Sequence, residues 1–298
     1  MACIADNDYL AVIFICYSAV SSVTGYPSAS IKILIYIFYH NCIYFSNVIR
    51  LLYYNTVGDC MKLVIVRHAD PDYSIDSLTE KGWREAELLS DRITKLDVKE
   101  FYCSPLGRAK DTASLTLEKM NRTAIELSWL REFKGKIRKG MKRISCWDRL
   151  PSEWTEDDSY YRNDTWYRTK LMSSANAEKE YKKVCDGIDE LLKKHGYEHT
   201  GRCYKVHHSN HDTIVLFCHF AVECVILSHI FSCSPMVLWH NFVALPTSVT
   251  TLITEEREQG TAVFRCQQFG DISHLYAGGE EPAFAARFCE CYEDDTRH

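Results

Sequence analysis

The sequence predicts an α/β fold of three layers, with a mostly parallel central sheet flanked by helices. Three observations carry that expectation. Residues 62–66 (KLVIV) and Thr213–Cys218 (TIVLFC) are short, continuous apolar runs, the pattern of parallel strands buried on both faces. Between them lie segments with apolar residues at three- and four-residue spacing, the stripe of helices packed on a sheet. The two patterns alternate from Met61 onward, with no internal repeat, low-complexity tract or Pro/Gly/Ser-rich linker.

The elements follow in order. After the strand at 62–66, Thr79 offers a helix N-cap, and Trp83, Ala86, Leu89, Ile93 and Leu96 form the buried stripe of the helix behind it. Phe101, Tyr102 and Cys103 end a second strand. Ser104-Pro105 then reads as an N-cap with proline at the first helical position, ahead of GRAKDTASLTLEKM. A short strand at 125–127 precedes an irregular, basic stretch containing KGKIRKGMKR. Residues 133–210 read as an insertion, partly helical (AEKEYKKVCDGIDELLKKHG) and placed to act as a lid. Thr213–Cys218 leads into the helix AVECVILSHIF. SVTTLITEE and AVFRCQQF read as later strands, and PAFAARFCECYE as a terminal helix.

Residues 1–60 do not match the rest. They carry five charged side chains (Asp6, Asp8, Lys32, Arg50 and Asp59), whereas the other 238 residues carry seventy. Their apolar stretches, 9–20 and 31–45, are shorter than the roughly 20 residues of a membrane-spanning helix. The acidic start is wrong for a secretory signal. A poor membrane anchor and a packing extension are two readings of this segment. The reading adopted is upstream sequence, with Met61 the physiological initiator and 61–298 the domain. Membrane association is then expected only if 1–60 is a real anchor.

Composition narrows the function classes. A chain of 298 residues, 46% hydrophobic and 25% charged, can bury a sizeable core. A net charge of -5 does not mark nucleic acid or an anionic membrane as the main partner. The fourteen cysteines are scattered with no CxxC pair, which excludes zinc-finger spacing and fits reduced thiols in a cytoplasmic protein.

Function must therefore come from a site. Ligands of open parallel sheets bind beyond the carboxyl ends of the strands. The first strand ends on Arg67-His68, the second on Ser104 with Arg108 in the next helical turn, and the third on His219. If these strands are neighbours, two arginines and two histidines converge on one crevice, a set suited to phosphate. Singly, each has an ordinary reading as a loop or surface residue.

The ordered pieces VRHADPDY, LTEKGWREAELL, SPLGRAKDTA, WLREFKG, FCHFAVECV and PTSVTTL resemble the histidine phosphatase superfamily, in its phosphoglycerate-mutase-like branch. The resemblance spans about 61–264 and is weakest across the insertion. It implies a phosphoglycerate-mutase-like fold and phosphomonoester hydrolysis on a small phosphorylated metabolite, with no metal or other cofactor. His68 would be the nucleophile that forms a phosphohistidine. Arg67, Arg108 and His219 would hold the phosphoryl oxygens, and Glu132 would be the acid and base, with Asp70 as its rival. Two positions depart from the family pattern: Ala69 and Phe220 stand where glycine is expected. His211-Asp212 mimics an acid-phosphatase pair but precedes its strand, at the wrong end for catalysis. His207, His208 and His211 lack the spacing of a metal site. Mutase chemistry and a catalytically silent phosphate-binding module are the alternatives to hydrolysis.

Overall fold

The computed structural model describes residues 60–139 and 141–284. The segment before Cys60 and most of the expected terminal helix lie outside them, so the readings of both rest on sequence. Pro282, Ala283 and Phe284 are irregular.

The chain begins with β1 (Lys62–Arg67), then a small hairpin, β2 (Pro71–Asp72) and β3 (Ser77–Leu78), and α1 (Glu80–Ile93). Thr79 caps α1 as expected, its hydroxyl accepting the Gly82 N–H. Next come β4 (Val98–Cys103), α2 (Gly107–Met120), β5 (Ala124–Glu126) and a second hairpin, β6 (Lys136–Lys139) and β7 (Lys142–Ser145). Short 3-10 turns lead to α3 (Lys170–Ser174) and α4 (Ala177–Lys194). The remainder is β8 (Tyr197–Thr200), β9 (Cys203–Val206), β10 (Thr213–Cys218), α5 (Phe220–Ile230), α6 (Pro235–Asn241), β11 (Val249–Glu258), β12 (Thr261–Asp271) and α7 (Ser273–Gly278).

The main sheet is mixed, in the order β5-β4-β10-β1-β11-β12-β9-β8. The first four strands run parallel and the pairings from β1 onward are antiparallel. The parallel half carries the continuous apolar runs, and their alternation builds two cores. Leu63, Ile65, Ile214 and Leu216 face the cluster that includes α4 and α5. Val64, Val66, Val215 and Phe217 face the cluster that includes α1 and α2. This is the expected three-layer arrangement. Helix α5 is buried along its length except at His229, consistent with a sequence apolar on every side.

The insertion differs from its expected extent. Helix α4 is one of the layer helices, and β8 and β9 form the far edge of the main sheet. Only the stretch between about 133 and 176 stands apart from the layers. Its aromatics are mostly packing residues: Trp154, Tyr160 and Trp166 are buried, and the Trp166 ring meets Tyr167, Tyr181 and Trp239 edge-on. Tyr161 is exposed. Among the described residues, no helix is long and apolar enough to cross a membrane.

Gly187 reports how tightly α4 is seated. A methyl group there would lie 2.5 Å from the Trp129 ring, against which the helix packs. Gly187→Ala is expected to destabilise the chain by about 1–3 kcal/mol, although alanine is the better helix former. Urea denaturation midpoints measure this; a stabilised variant would show that Trp129 moves aside freely.

Candidate active site

Register brings the strand ends abreast. Arg67 of β1 is opposite Cys218 of β10, and Phe217 of β10 is opposite Cys103 of β4. His68, Ser104 and His219, each following one of these strands, therefore meet at one edge of the sheet. The His68 N–H bonds the Cys218 carbonyl (3.0 Å) and its own carbonyl accepts from Thr247 (3.2 Å), which fixes the backbone on both sides.

His68 is buried, and its ring orientation follows from one bond. Nδ1 lies 2.7 Å from the Ala69 carbonyl oxygen. A carbonyl can only accept, so Nδ1 carries the proton and Nε2 keeps a lone pair. Burial, then the charges of Arg67 and Arg108, drives the imidazole pKa well below its usual value, so the ring is neutral at physiological pH. Arg108 Nε sits 3.4 Å from His68 Nε2. Behind His68, the Ala69 N–H donates to the Thr112 hydroxyl (2.9 Å), which itself donates to the Arg108 carbonyl (2.7 Å).

His219 is fully buried, and its ring centroid is 5.0 Å from that of His68. Its Nε2 pairs with the Ser104 hydroxyl at 2.8 Å, and Nδ1 has no hydrogen-bond partner among the described residues. Burial and then His68, Arg108, Arg67 and Arg131 hold it neutral too. Arg67 bonds the Ala244 carbonyl through Nη1 and lies over the Phe220 ring at 5.7 Å, with Nε unpartnered. Phe220 itself is buried in the core beneath the site.

Glu132 ends its segment beside these cations. Its Oε1 accepts from the Phe133 N–H (2.8 Å) and from the Val222 N–H in the first turn of α5 (3.2 Å). Burial raises its pKa, against the opposing pull of the Phe133 N–H, Arg67, Arg108 and the Val222 N–H. Asp70, the rival, is committed elsewhere. Its carboxylate accepts from the Thr79 hydroxyl (2.7 Å) and its N–H donates to Glu85 (3.0 Å), so it secures the start of α1.

One local expectation is corrected. Ser104 does not cap α2, whose N-cap is Leu106 with Gly107 as the first helical residue. Partnership with His219 draws the serine hydroxyl towards the site. The capping acceptor comes instead from Asp76, whose Oδ2 accepts the Gly107 N–H (2.8 Å) while Oδ1 pairs with Arg108 Nη1 (2.5 Å). Asp76 adopts the left-handed backbone region (φ 51), and its carbonyl presses on Gly107 where no side chain would fit. Tyr73 from the same loop lies 5.4 Å over Arg108. Sequence reasoning missed Asp76, Tyr73 and Thr112 because their roles depend on contacts more than thirty residues away.

The remaining histidines singled out in the sequence lie away from these strand ends. His211 and Asp212 precede β10, where the Asp212 carbonyl accepts the Lys62 N–H. His207 pairs with Glu198 at 2.8 Å.

Glu223 was also unforeseen. It is buried, neither carboxylate oxygen has a hydrogen-bond partner of good geometry among the described residues, and burial pushes its pKa up to about 7 despite Thr250 and Arg67. Between the ordinary value of 4.5 and about 7, the folded chain retains a proton that the unfolded chain releases. This contribution to stability is therefore full below the unfolded value and lost as pH rises through the folded one, on the order of 3 kcal/mol. Glu223→Gln is expected to gain stability over the parent as pH rises from 5 to 8. A difference in thermal midpoint that stays constant with pH would contradict this.

Residues 63–267 match the family model described as the histidine phosphatase superfamily (branch 1). A 2,3-bisphosphoglycerate-dependent phosphoglycerate mutase of Thermoplasma acidophilum is 32% identical over 72 residues, 21% of this chain and 36% of that relative, so the match spans about a third of its length. Among solved structures, phosphoserine phosphatase of Entamoeba histolytica in complex with phosphoserine is 19% identical, with a TM-score of 0.49 over 72% of this chain and 99% of that one. A mycobacterial glucosyl-3-phosphoglycerate phosphatase is 14% identical, with a TM-score of 0.47 over 70% and 98%. With the family model covering most of the chain from β1 through most of β12, the protein belongs to the histidine phosphatase superfamily (branch 1).

Proposed function

We propose that the protein hydrolyses a phosphomonoester of a small metabolite through a phosphohistidine on His68. The observation that carries this is the His68 tautomer: Nδ1–H is held by the Ala69 carbonyl, and the Nε2 lone pair lies beside the Arg108 guanidinium. Nε2 attacks phosphorus in line and the ester oxygen leaves, so one displacement is divided into two. Arg67 and Arg108 supply positive charge, and neutral His219 a hydrogen-bond donor, to the equatorial oxygens as charge spreads over them. Glu132, with its raised pKa, protonates the leaving oxygen and then takes a proton from the water that attacks the phosphohistidine. Phosphate leaves and His68 returns to its neutral form.

A second reading has one observation in its favour, the 72-residue likeness to a phosphoglycerate mutase. In it the same phosphohistidine returns its phosphoryl group to a bound sugar acid. Incubation with 3-phosphoglycerate and its bisphosphate primer separates the two: hydrolysis releases free phosphate, and transfer yields 2-phosphoglycerate.

His68→Ala is expected to lower turnover of an aryl phosphate by at least about a thousandfold without altering the circular dichroism spectrum. Acid-labile phosphate trapped on the parent and absent from this variant completes the test. No turnover by the parent across a broad phosphometabolite panel would leave only phosphate binding. In the pH profile of kcat/KM, the acid limb set by His68 should fall well below pH 6.5, because its neutral form is favoured. The basic limb should report Glu132 and lie above the ordinary 4.5 of a glutamate. Glu132→Gln should remove that limb and cost about 10²–10⁴-fold in turnover of a substrate with a poor leaving group. A basic limb that survives the substitution would assign the acid elsewhere.

A further inference from the structure

Away from the strand ends, Asp189 of α4, His199 of β8 and His229 of α5 converge on one point. His229 Nε2 is 2.9 Å from Asp189 Oδ1, and His199 Nδ1 is 3.3 Å from Asp189 Oδ2. The two imidazole centroids are 4.5 Å apart and nearly perpendicular. One donor atom from each of the three residues lies within 4.8 Å of the others. A tetrahedral zinc ion bound by nitrogen and oxygen at about 2.0–2.2 Å sets its donor atoms about 3.4 Å apart. The two imidazole nitrogens flank opposite oxygens of the one carboxylate, each at a distance near that length.

We propose that Asp189, His199 and His229 bind a divalent transition-metal ion of the zinc class, with water in the fourth position. Two imidazoles and one carboxylate suit zinc and disfavour magnesium or calcium, which take oxygen donors. All three side chains are mostly buried, yet Asp189 is 31% exposed, His199 17% and His229 15%, so each keeps some contact with solvent. Polar capacity beside the cluster is also unspent. His199 Nε2 and the Tyr204 hydroxyl are buried without hydrogen-bond partners among the described residues, and the Tyr204 ring lies 5.1 Å from that of His199. The ion replaces the protons now shared between the imidazoles and the carboxylate. It ties α4, α5 and the edge hairpin together. His229 stands ten residues along α5 from His219, about 15 Å by helical rise, so the ion takes no part in phosphoryl transfer. Its effect is to brace the helix whose other end carries His219 and Val222.

The test uses the full chain freed of metal with a chelator. Zn²⁺ titrated by calorimetry should bind with one equivalent per chain and raise the thermal midpoint, and Co²⁺ should give the intense visible bands of a tetrahedral ion. Asp189→Asn, which keeps size, and His229→Asn, which keeps a polar hydrogen-bonding group, should each weaken Zn²⁺ binding at least about tenfold and abolish the Co²⁺ bands. Binding unchanged in both variants, or none in the parent, overturns the proposal. If either variant fails to fold, X-ray absorption of the Zn²⁺-loaded parent decides. Two imidazoles with oxygen support the site; sulfur ligands or an all-oxygen shell refute it.

Discussion

The constraint on which the site depends is the burial of two guanidiniums beside two imidazoles at the carboxyl edge of three parallel strands. Arg67, His68 and His219 are almost wholly buried and Arg108 nearly so. Positive charge at that density cannot be shared by all four groups. Arginine does not give up its proton in proteins, so the histidines must. Both imidazoles are held neutral by desolvation and by the neighbouring guanidiniums. The electrostatic cost of gathering the cations is therefore what keeps the His68 ring neutral, with Nδ1–H engaged and a lone pair on Nε2.

The same charge explains where the carboxylates stand. Asp76 answers Arg108 from the β2–β3 hairpin loop at 2.5 Å, and Glu132 and Glu223 oppose Arg67 through space. They differ in what else they touch. The Asp76 pKa lies below its usual value, with the Gly107 N–H and Arg108 overcoming its partial burial. It is a structural anion that aims the guanidinium. Glu132 accepts two backbone N–H bonds and still has its pKa raised by burial. Glu223 has lost solvent without gaining bonds of good geometry. Exposure and bonding, more than distance from the cations, set these three acids apart.

Much of this was legible in the sequence, for a physical reason. The apolar runs at 62–66 and Thr213–Cys218 identify buried parallel strands, and residues that end such strands must lie at one edge of the sheet. The order of residues along the chain is therefore enough to gather Arg67, His68, Arg108 and His219 into one cluster. What stayed hidden depends on contacts without a local pattern. Ser104-Pro105 has the sequence of a helix cap, yet a histidine more than a hundred residues later claims the hydroxyl. The region 133–210 begins irregularly, shows one clear helix and reads as a lid, but β8 and β9 find their partner in β12, far along the chain. Asp189, His199 and His229 belong to three elements whose proximity no spacing rule announces.

Phe220 shows how the family pattern tolerates a departure. Replacing a small residue at the start of α5 with phenylalanine could have filled the crevice. Instead the ring is buried in the core beneath the site and carries Arg67 over its face. An aromatic face beneath a guanidinium favours the cation without competing for its N–H donors. The Arg67 Nε accordingly remains without a hydrogen-bond partner among the described residues. Helix α5 can absorb so large a side chain because it is mostly apolar and already surrounded by core, so the added volume is met by packing. The phenylalanine at this position therefore places an aromatic face against the Arg67 guanidinium, from within the core.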